Sequence, residues 1–307
     1  MPRSKRMSMS EAIERFVSDG SSVAMGLALE SLIPFAAGHE IVRRGRRNLT
    51  LIGPISDILF DQLIGAGCAA AIRAAWVGNV SAGLGHNYRR AAEQGVPNRL
   101  AIQDYSNFTI ALGLLAGAMG IPSIPTRSVL GSDIAQANPG LTLALSPASA
   151  EPLTFVSAIV PDVAILHVQR AAENGGCHAW GNLGVCEEAA LAAKSVIVVA
   201  EEIVDSSVIT SDPNRVLVPQ HRVSAVVHEP GGAHPSPVQG YYGRDHEFYH
   251  EYHASSKTES GFADWRARWI DGVTGRDSYF RLLGAARWQA LAVRNQRFAA
   301  PVNYSAT

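Results

Sequence analysis

Three short stretches carry residue types able to do chemistry. His246-Glu247-Phe248-Tyr249-His250 spells HExxH, and His253 falls on the same helical face. In a zinc hydrolase the two imidazoles hold metal one turn apart and the glutamate activates water. Here residues 245–253 carry charge on most faces, as a surface helix does, and only His253 stands by as a third ligand. Gly65-Ala66-Gly67-Cys68-Ala69-Ala70 spells GxGxxA. A dinucleotide site needs those glycines after a strand and before a helix, whereas the expected order here is helix, glycines, strand. A helix-ending turn is the better account. Glu173-Asn174-Gly175 joins a carboxylate to the Asn-Gly pair favoured at hairpin turns, so a turn bearing an exposed glutamate is expected. The chain has no Gly-x-Ser-x-Gly elbow and no Walker-type glycine loop.

The elements that position such residues follow from hydrophobic period and punctuation. Ser8-Met9-Ser10-Glu11 reads as a capping box opening a helix that stops by Gly20. Small apolar residues over 22–27 suit a buried strand. Helices are expected over 34–44 and 57–64, closed by Gly45 and Gly65, with strands over 48–52 and 69–77. A helix over 87–94 and a short strand over 100–102 follow. Residues 109–119 are apolar on nearly every side but too few to span a bilayer, which predicts a helix buried between layers. Pro, Ser and Gly accumulate over 122–152, read as one long functional loop. Strands resume over 163–168, 177–180, 195–200 and 223–227, and from His246 onward the chain turns helical and aromatic. Alternating buried strands and helices predict an α/β chain whose open, largely parallel sheet has helices on both faces. One domain over 8–290 is expected, with C-terminal helices from about residue 244 and a tail over 291–307.

Composition narrows the function classes. With 47% hydrophobic residues among 307 there is ample core, and a net charge of −1 supplies no field toward nucleic acid or an anionic membrane. Arg43-Arg44-Gly45-Arg46-Arg47 sits where a helix should end, a place that favours cations; a phosphate-binding patch is the alternative. Cys68, Cys177 and Cys186 show no CxxC spacing, which suits reduced thiols and a cytoplasmic protein. The basic start, Met1-Pro2-Arg3-Ser4-Lys5-Arg6, is followed by no apolar stretch of signal-peptide length, and no apolar run approaches the ~20 residues that cross a bilayer. Neither nucleic acid nor membrane is expected as a partner.

Several segments, in order, carry a resemblance. Gln103-Asp104-Tyr105-Ser106-Asn107 precedes the small-residue helix, and Gly120-Ile121-Pro122-Ser123-Ile124-Pro125-Thr126-Arg127-Ser128 with Gly131-Ser132-Asp133 follows it. Later come Pro161-Asp162-Val163-Ala164-Ile165-Leu166-His167-Val168-Gln169, Val199-Ala200-Glu201-Glu202-Ile203-Val204, and Gly232-Ala233-His234-Pro235-Ser236 with Tyr241 and Tyr242. From about Met9 to about Ala290 the chain resembles the α-subunits of glutaconate CoA-transferases, within the family I CoA-transferases. The resemblance implies a three-layer α/β/α open twisted sheet of the type shared with ribose-5-phosphate isomerases. It implies a partner of the β-subunit type, a hetero-oligomer, and a site at the interface between the two. Coenzyme A is then a substrate, passed between an acyl-CoA and a small carboxylic acid, with no tightly bound cofactor and no metal. The partner subunits carry their nucleophilic glutamate in a Glu-Asn-Gly type motif, so no catalytic nucleophile is expected here and Glu173 keeps its turn role.

The implied chemistry passes through an anhydride and a glutamyl-CoA thioester, and backbone N–H groups stabilise the oxyanions. Gly26 is the candidate donor, because a strand-ending glycine lets the backbone approach closely. Relatives commonly show Gly-Gly-Phe there, whereas this chain has Gly26-Leu27-Ala28, so substrate or reaction can differ from glutaconate transfer. Arg127 and Ser128 are substrate-binding candidates, since an arginine in a loop can hold a carboxylate bidentately; satisfying loop carbonyls is the alternative. Asn79 and Ser81 follow a strand's carboxyl end, where open α/β sheets bind ligands; helix capping is the alternative. Asp104 reads as a turn residue before an acid or base. Two other functions remain: a CoA-thioester hydrolase or decarboxylase on the same scaffold, and a small-molecule sensor module, which lacks here the helix-turn-helix that should accompany it.

Overall fold

Strands covered on both faces need apolar side chains on both, and the runs around Leu51, Ile165 and Val198 supply them. The computed structural model describes residues 4–293. Its strands begin with β1 (Ser22–Ala24), β2 (Leu49–Ile55), β3 (Ala69–Trp76), the short pair β4 (Gly78–Asn79) and β5 (Gly83–Leu84), and β6 (Ala101–Asp104). Next come β7 (Ser123–Thr126), β8 (Leu141–Leu145), β9 (Pro152–Ser157), β10 (Val163–Ala171), β11 (Cys177–His178), β12 (Ser195–Ile203) and β13 (Ala225–His228). The main sheet runs β13-β12-β10-β1-β2-β3-β6 with every neighbour parallel, and β11 adds antiparallel to β10.

One face is covered by α1 (Met9–Phe16), α2 (Phe35–Arg43) and α3 (Ile58–Gly65), with α4 (His86–Gln94) against α3. The other carries α5 (Asn107–Met119), the short α6 (Asp133–Ala137) beside β8, and α7 (Cys186–Ala192). After α8 (Ser206–Thr210), the C-terminal helices α9 (His246–Ser256), α10 (Glu259–Arg266), α11 (Arg276–Leu283) and α12 (Ala285–Leu291) follow. Aromatic rings of Phe248, Tyr252, Trp265 and Tyr279 join the first core. The expected α/β/α layering is thus present. Of the tail expected over 291–307, residues 294–307 lie outside those described.

Local readings hold where a cap or a close approach decides them. Ser8 and Glu11 form the reciprocal capping box of α1. In α5, Gly113 and Gly117 let the helix lie against Ile159, where a Cβ would collide. The arginines 43–47 close α2 with local partners: Arg43 and Arg44 bind Glu40, and Arg47 donates to the Ala66 carbonyl. The glycines of GxGxxA end α3 and precede β3, with Gly67 at φ +71°.

One expectation is corrected. Residues 122–152 are not a single loop: β7, α6, β8 and the start of β9 lie there, and the three strands make a separate antiparallel sheet, order β7-β9-β8. Proline in an edge strand and glycine in the turns blurred its alternation, since an edge strand tolerates a missing N–H. Among the described residues no helix is long and apolar enough to cross a membrane.

Candidate active site

In an open parallel sheet, side chains and turns converge at the carboxyl ends of the strands. Here the turns after β1 and β2 are strained there. Leu29 (φ 64°), Leu32 (φ 54°) and Asp57 (φ 46°) hold the left-handed region without being glycine, a conformation that costs energy and clusters at functional sites. Gly26 follows β1 at φ +67°, and a Cβ on it would run into the Ser56 side chain and backbone. Ser56 Oγ donates to the Met25 carbonyl at 2.8 Å, tying the two turns together. The buried Gly26 N–H has no acceptor among the described residues.

Arg244 lies across these turns. It is placed between the Tyr242 turn and α9, 3.7 Å above the centroid of the Tyr249 ring. Its Nη2 donates to Asp57 Oδ2 at 2.5 Å and to Ser81 Oγ at 3.0 Å, and Nε donates to Ser81 Oγ at 3.2 Å. Nη1 has no hydrogen-bond partner among the described residues; the Glu30 carboxylate stands 4.0 Å away. Asp57 is fully buried and also accepts from the Val80 N–H. Burial pushes its carboxyl above the ordinary carboxylate value, and Arg244 offsets part of that.

Asn79 is buried, donating to the Tyr249 carbonyl and accepting from the N–H groups of Ser81 and Ala82. It therefore holds the turn that presents Ser81 to Arg244. Arg127 and Ser128 sit elsewhere, on the small sheet: Arg127 is exposed and pairs with Glu151, and the Ser128 N–H donates to Thr126 Oγ1. Neither of these partners belongs to the Arg244 cluster.

A second polar layer supports the edge from behind. Glu201 of β12 accepts from the Tyr242 hydroxyl at 2.6 Å and the Gly231 N–H at 2.7 Å, and meets His167 Nε2 at 2.6 Å. Burial works against its charge, yet His167, Tyr242 and Gly231 together hold the carboxyl below its ordinary value. His234 bridges Tyr279 and Asp245, and Arg287 also donates to Asp245. Burial drives the His234 imidazole down to about 4 despite Asp245.

The tempting motifs take ordinary places. Glu173 sits in the β10–β11 hairpin turn, exposed, accepting from Ser4 and Arg6. His246 and His250 are exposed, while His253 faces His86, ring centroids 4.5 Å apart. Among the described residues no three potential ligands are grouped to hold a metal. The α9 helix is more than a surface helix, since Phe248, Tyr249 and Tyr252 are buried on one side. Sequence reasoning missed Arg244, Asp57 and Ser56. The available signal was Arg244-Asp245 directly after the Tyr241-Tyr242 pair, ahead of a capped helix.

The coenzyme A transferase family model matches residues 6–229. The chain is 41% identical to the A subunit of the 3-oxoadipate CoA-transferase of Pseudomonas knackmussii, over 87% of this chain and 94% of that protein. The solved glutaconate coenzyme A-transferase of Acidaminococcus fermentans superposes with a TM-score of 0.88 at 31% identity, covering 94% of this chain and 96% of that one. The decarboxylase AibA/AibB, as its C56S variant, gives a TM-score of 0.76 at 28% identity over 87% and 99%.

Proposed function

The chain belongs to the coenzyme A transferase family, and from that premise we propose that it is the A-type subunit of a cytoplasmic CoA-transferase acting on dicarboxylic acids. The partner is a β-type subunit that brings the nucleophilic glutamate to the Gly26–Arg244 edge. The partner's carboxylate attacks the acyl-CoA carbonyl, forming a mixed anhydride and releasing the CoA thiolate. The thiolate then attacks the glutamyl carbonyl, leaving a glutamyl-CoA thioester and the free acid. An incoming acid reverses both steps and departs as the new thioester, so atoms and charge balance.

This chain's share is positioning. The Gly26 N–H is directed to the oxyanion formed at each attack, where a preorganised donor is worth most. Ser56 holds that turn, Asn79 holds Ser81, and Ser81 holds Arg244. Two subunits closing over the edge keep water from the thioester. Arg127 and Ser128 join the site only where the partner closes over the small sheet.

Arg244 is the observation that carries the reading. A largely buried guanidinium whose Nη1 makes no hydrogen bond among the described residues, with only the Glu30 carboxylate 4.0 Å away beside it, can take the far carboxylate of a substrate whose near carboxylate exchanges CoA. Two of the similar proteins are named for dicarboxylates, 3-oxoadipate and glutaconate. The test uses the chain assembled with its partner and the substitution Arg244→Lys, which keeps a cation for Asp57 but loses the fork. A charge-assisted hydrogen bond contributes about 1.5–3 kcal/mol, so KM for a dicarboxylate acceptor should rise roughly 10- to 100-fold. KM for a monocarboxylate such as acetate should stay put. Equal loss for both acids would sink the assignment. Absence of a borohydride-trapped glutamyl-CoA on the partner would instead favour thioester hydrolysis or decarboxylation.

A further inference from the structure

Away from the carboxyl-edge cluster, a cavity of about 500 Å³ lies between the starts of α1 and α11 and the flank of α2. That volume suits a small ligand. Arg276, Glu229, His39, Arg43 and Ser10 line it. Arg276 and Glu229 also border a neighbouring hollow of about 570 Å³, so both stand in the wall between two open spaces.

Arg276 is only 8% exposed. Its Nη2 donates to the Gly232 carbonyl at 2.7 Å, and the guanidinium lies 4.4 Å from the centre of the Tyr279 ring. Nε and Nη1 remain buried with no hydrogen-bond acceptor among the described residues. Leaving cationic donors unmet in a buried place is costly, more so than leaving neutral ones. The neighbouring arginines are not in that position: Arg43 and Arg44 both bind Glu40. Glu229 forms no ion pair among the described residues, and burial pushes its carboxyl up against the pull of Arg276 and Arg43. Two unmet cationic N–H groups call for an anion of low charge, and a monovalent carboxylate meets that. A phosphate dianion would bring its second charge against Glu40 and Asp271, which also line the cavity.

We propose that this cavity is a second ligand site, which takes a small carboxylate on Arg276. The site is separate from the Arg244 edge and goes beyond the transfer reaction. Titration calorimetry of the full chain with acetate, and separately with inorganic phosphate, tests it. Acetate, which Arg244 is not expected to hold, should bind as well to the Arg244→Lys protein as to wild type, and at least tenfold more weakly to Arg276→Gln. Loss in Arg244→Lys with retention in Arg276→Gln would assign the binding to the carboxyl edge and overturn the proposal. Phosphate binding as tightly as acetate would overturn the carboxylate assignment. Should Arg276→Gln fail to fold, wild-type crystals soaked in acetate decide: carboxylate density on Arg276 supports the site, and water alone there refutes it.

Discussion

The carboxyl edge of the main sheet and the small β7-β9-β8 sheet are built on opposite terms. At the edge, a buried Asp57–Arg244 pair, strained turns and a Gly26 pressed on Ser56 are locked together with almost no solvent. On the small sheet, Leu143 and Leu145 are 52% and 65% exposed, and the charged pair Arg127–Glu151 stands in water. Removing one member of a buried pair leaves an uncompensated charge and costs about 3–5 kcal/mol, whereas exposed pairs are screened. The edge therefore spends folding energy on fixed geometry, and the small sheet spends little. Substitutions matched between the two regions can break that contrast.

The largest effect should come from glycines that share a backbone conformation but not a neighbourhood. Gly26 (φ +67°) would press a Cβ into Ser56, while Gly131 (φ +75°) has nothing within 4 Å. Alanine at either position bears the left-handed cost, about 1–2 kcal/mol. At Gly26 overpacking adds about 1–3 kcal/mol, so Gly26→Ala should lose about 2–5 kcal/mol in denaturant unfolding. The assembled enzyme should lose most of its transfer rate only in Gly26→Ala. Equal losses from Gly26→Ala and Gly131→Ala would erase the distinction between the two regions.

The layers and much of the order were legible because they rest on local signals. The Ser8–Glu11 capping box, the Gly45 stop and the buried runs of β10 and β12 all announce themselves in a few consecutive residues, while α3 runs through Gly65 and turns at Gly67. The close backbone approach at Gly26 was legible for the same reason, as a glycine following a strand. Asp57 and Arg244 lie 187 positions apart in the chain, and no local pattern pairs them. Asp57 read as an ordinary helix start, yet its side chain leaves α3 uncapped and turns to Arg244. The small sheet was missed where edge exposure and proline removed the period that marks a strand.

An intermediate effect separates the regions by pH. His234 is buried and titrates near 4 rather than at its ordinary 6.5. Between those values the unfolded chain binds a proton that the folded chain does not, so stability rises with pH across the window. Lowering pH from 6.5 toward 4 should therefore destabilise the protein progressively. At about 1.4 kcal/mol per pKa unit, the His234 contribution is bounded at roughly 3 kcal/mol. His39, lowered well below its ordinary value chiefly by burial, adds in the same direction. Urea unfolding at successive pH values should show a shallower slope in His234→Gln. Residues 121–160 contain no histidine, so variants of the small sheet should keep the wild-type slope. A slope unchanged in His234→Gln would mean that the buried layer is not what acid attacks.

The smallest effect is expected from Arg127→Ala, and its smallness is informative. Arg127 pairs with Glu151 where both side chains face solvent, and an exposed pair gains little over two hydrated ions. The melting temperature of the isolated chain should not move measurably. In the assembled enzyme the expectation is a change in KM for the acid of less than about threefold, because Arg244 already supplies a cation at the edge. A tenfold rise in KM at unchanged kcat would show that the partner folds the small sheet over the substrate and recruits Arg127. The exposed leucines of β8 would then gain a reason to be exposed, since a wall that forms only on assembly must be unburied before it.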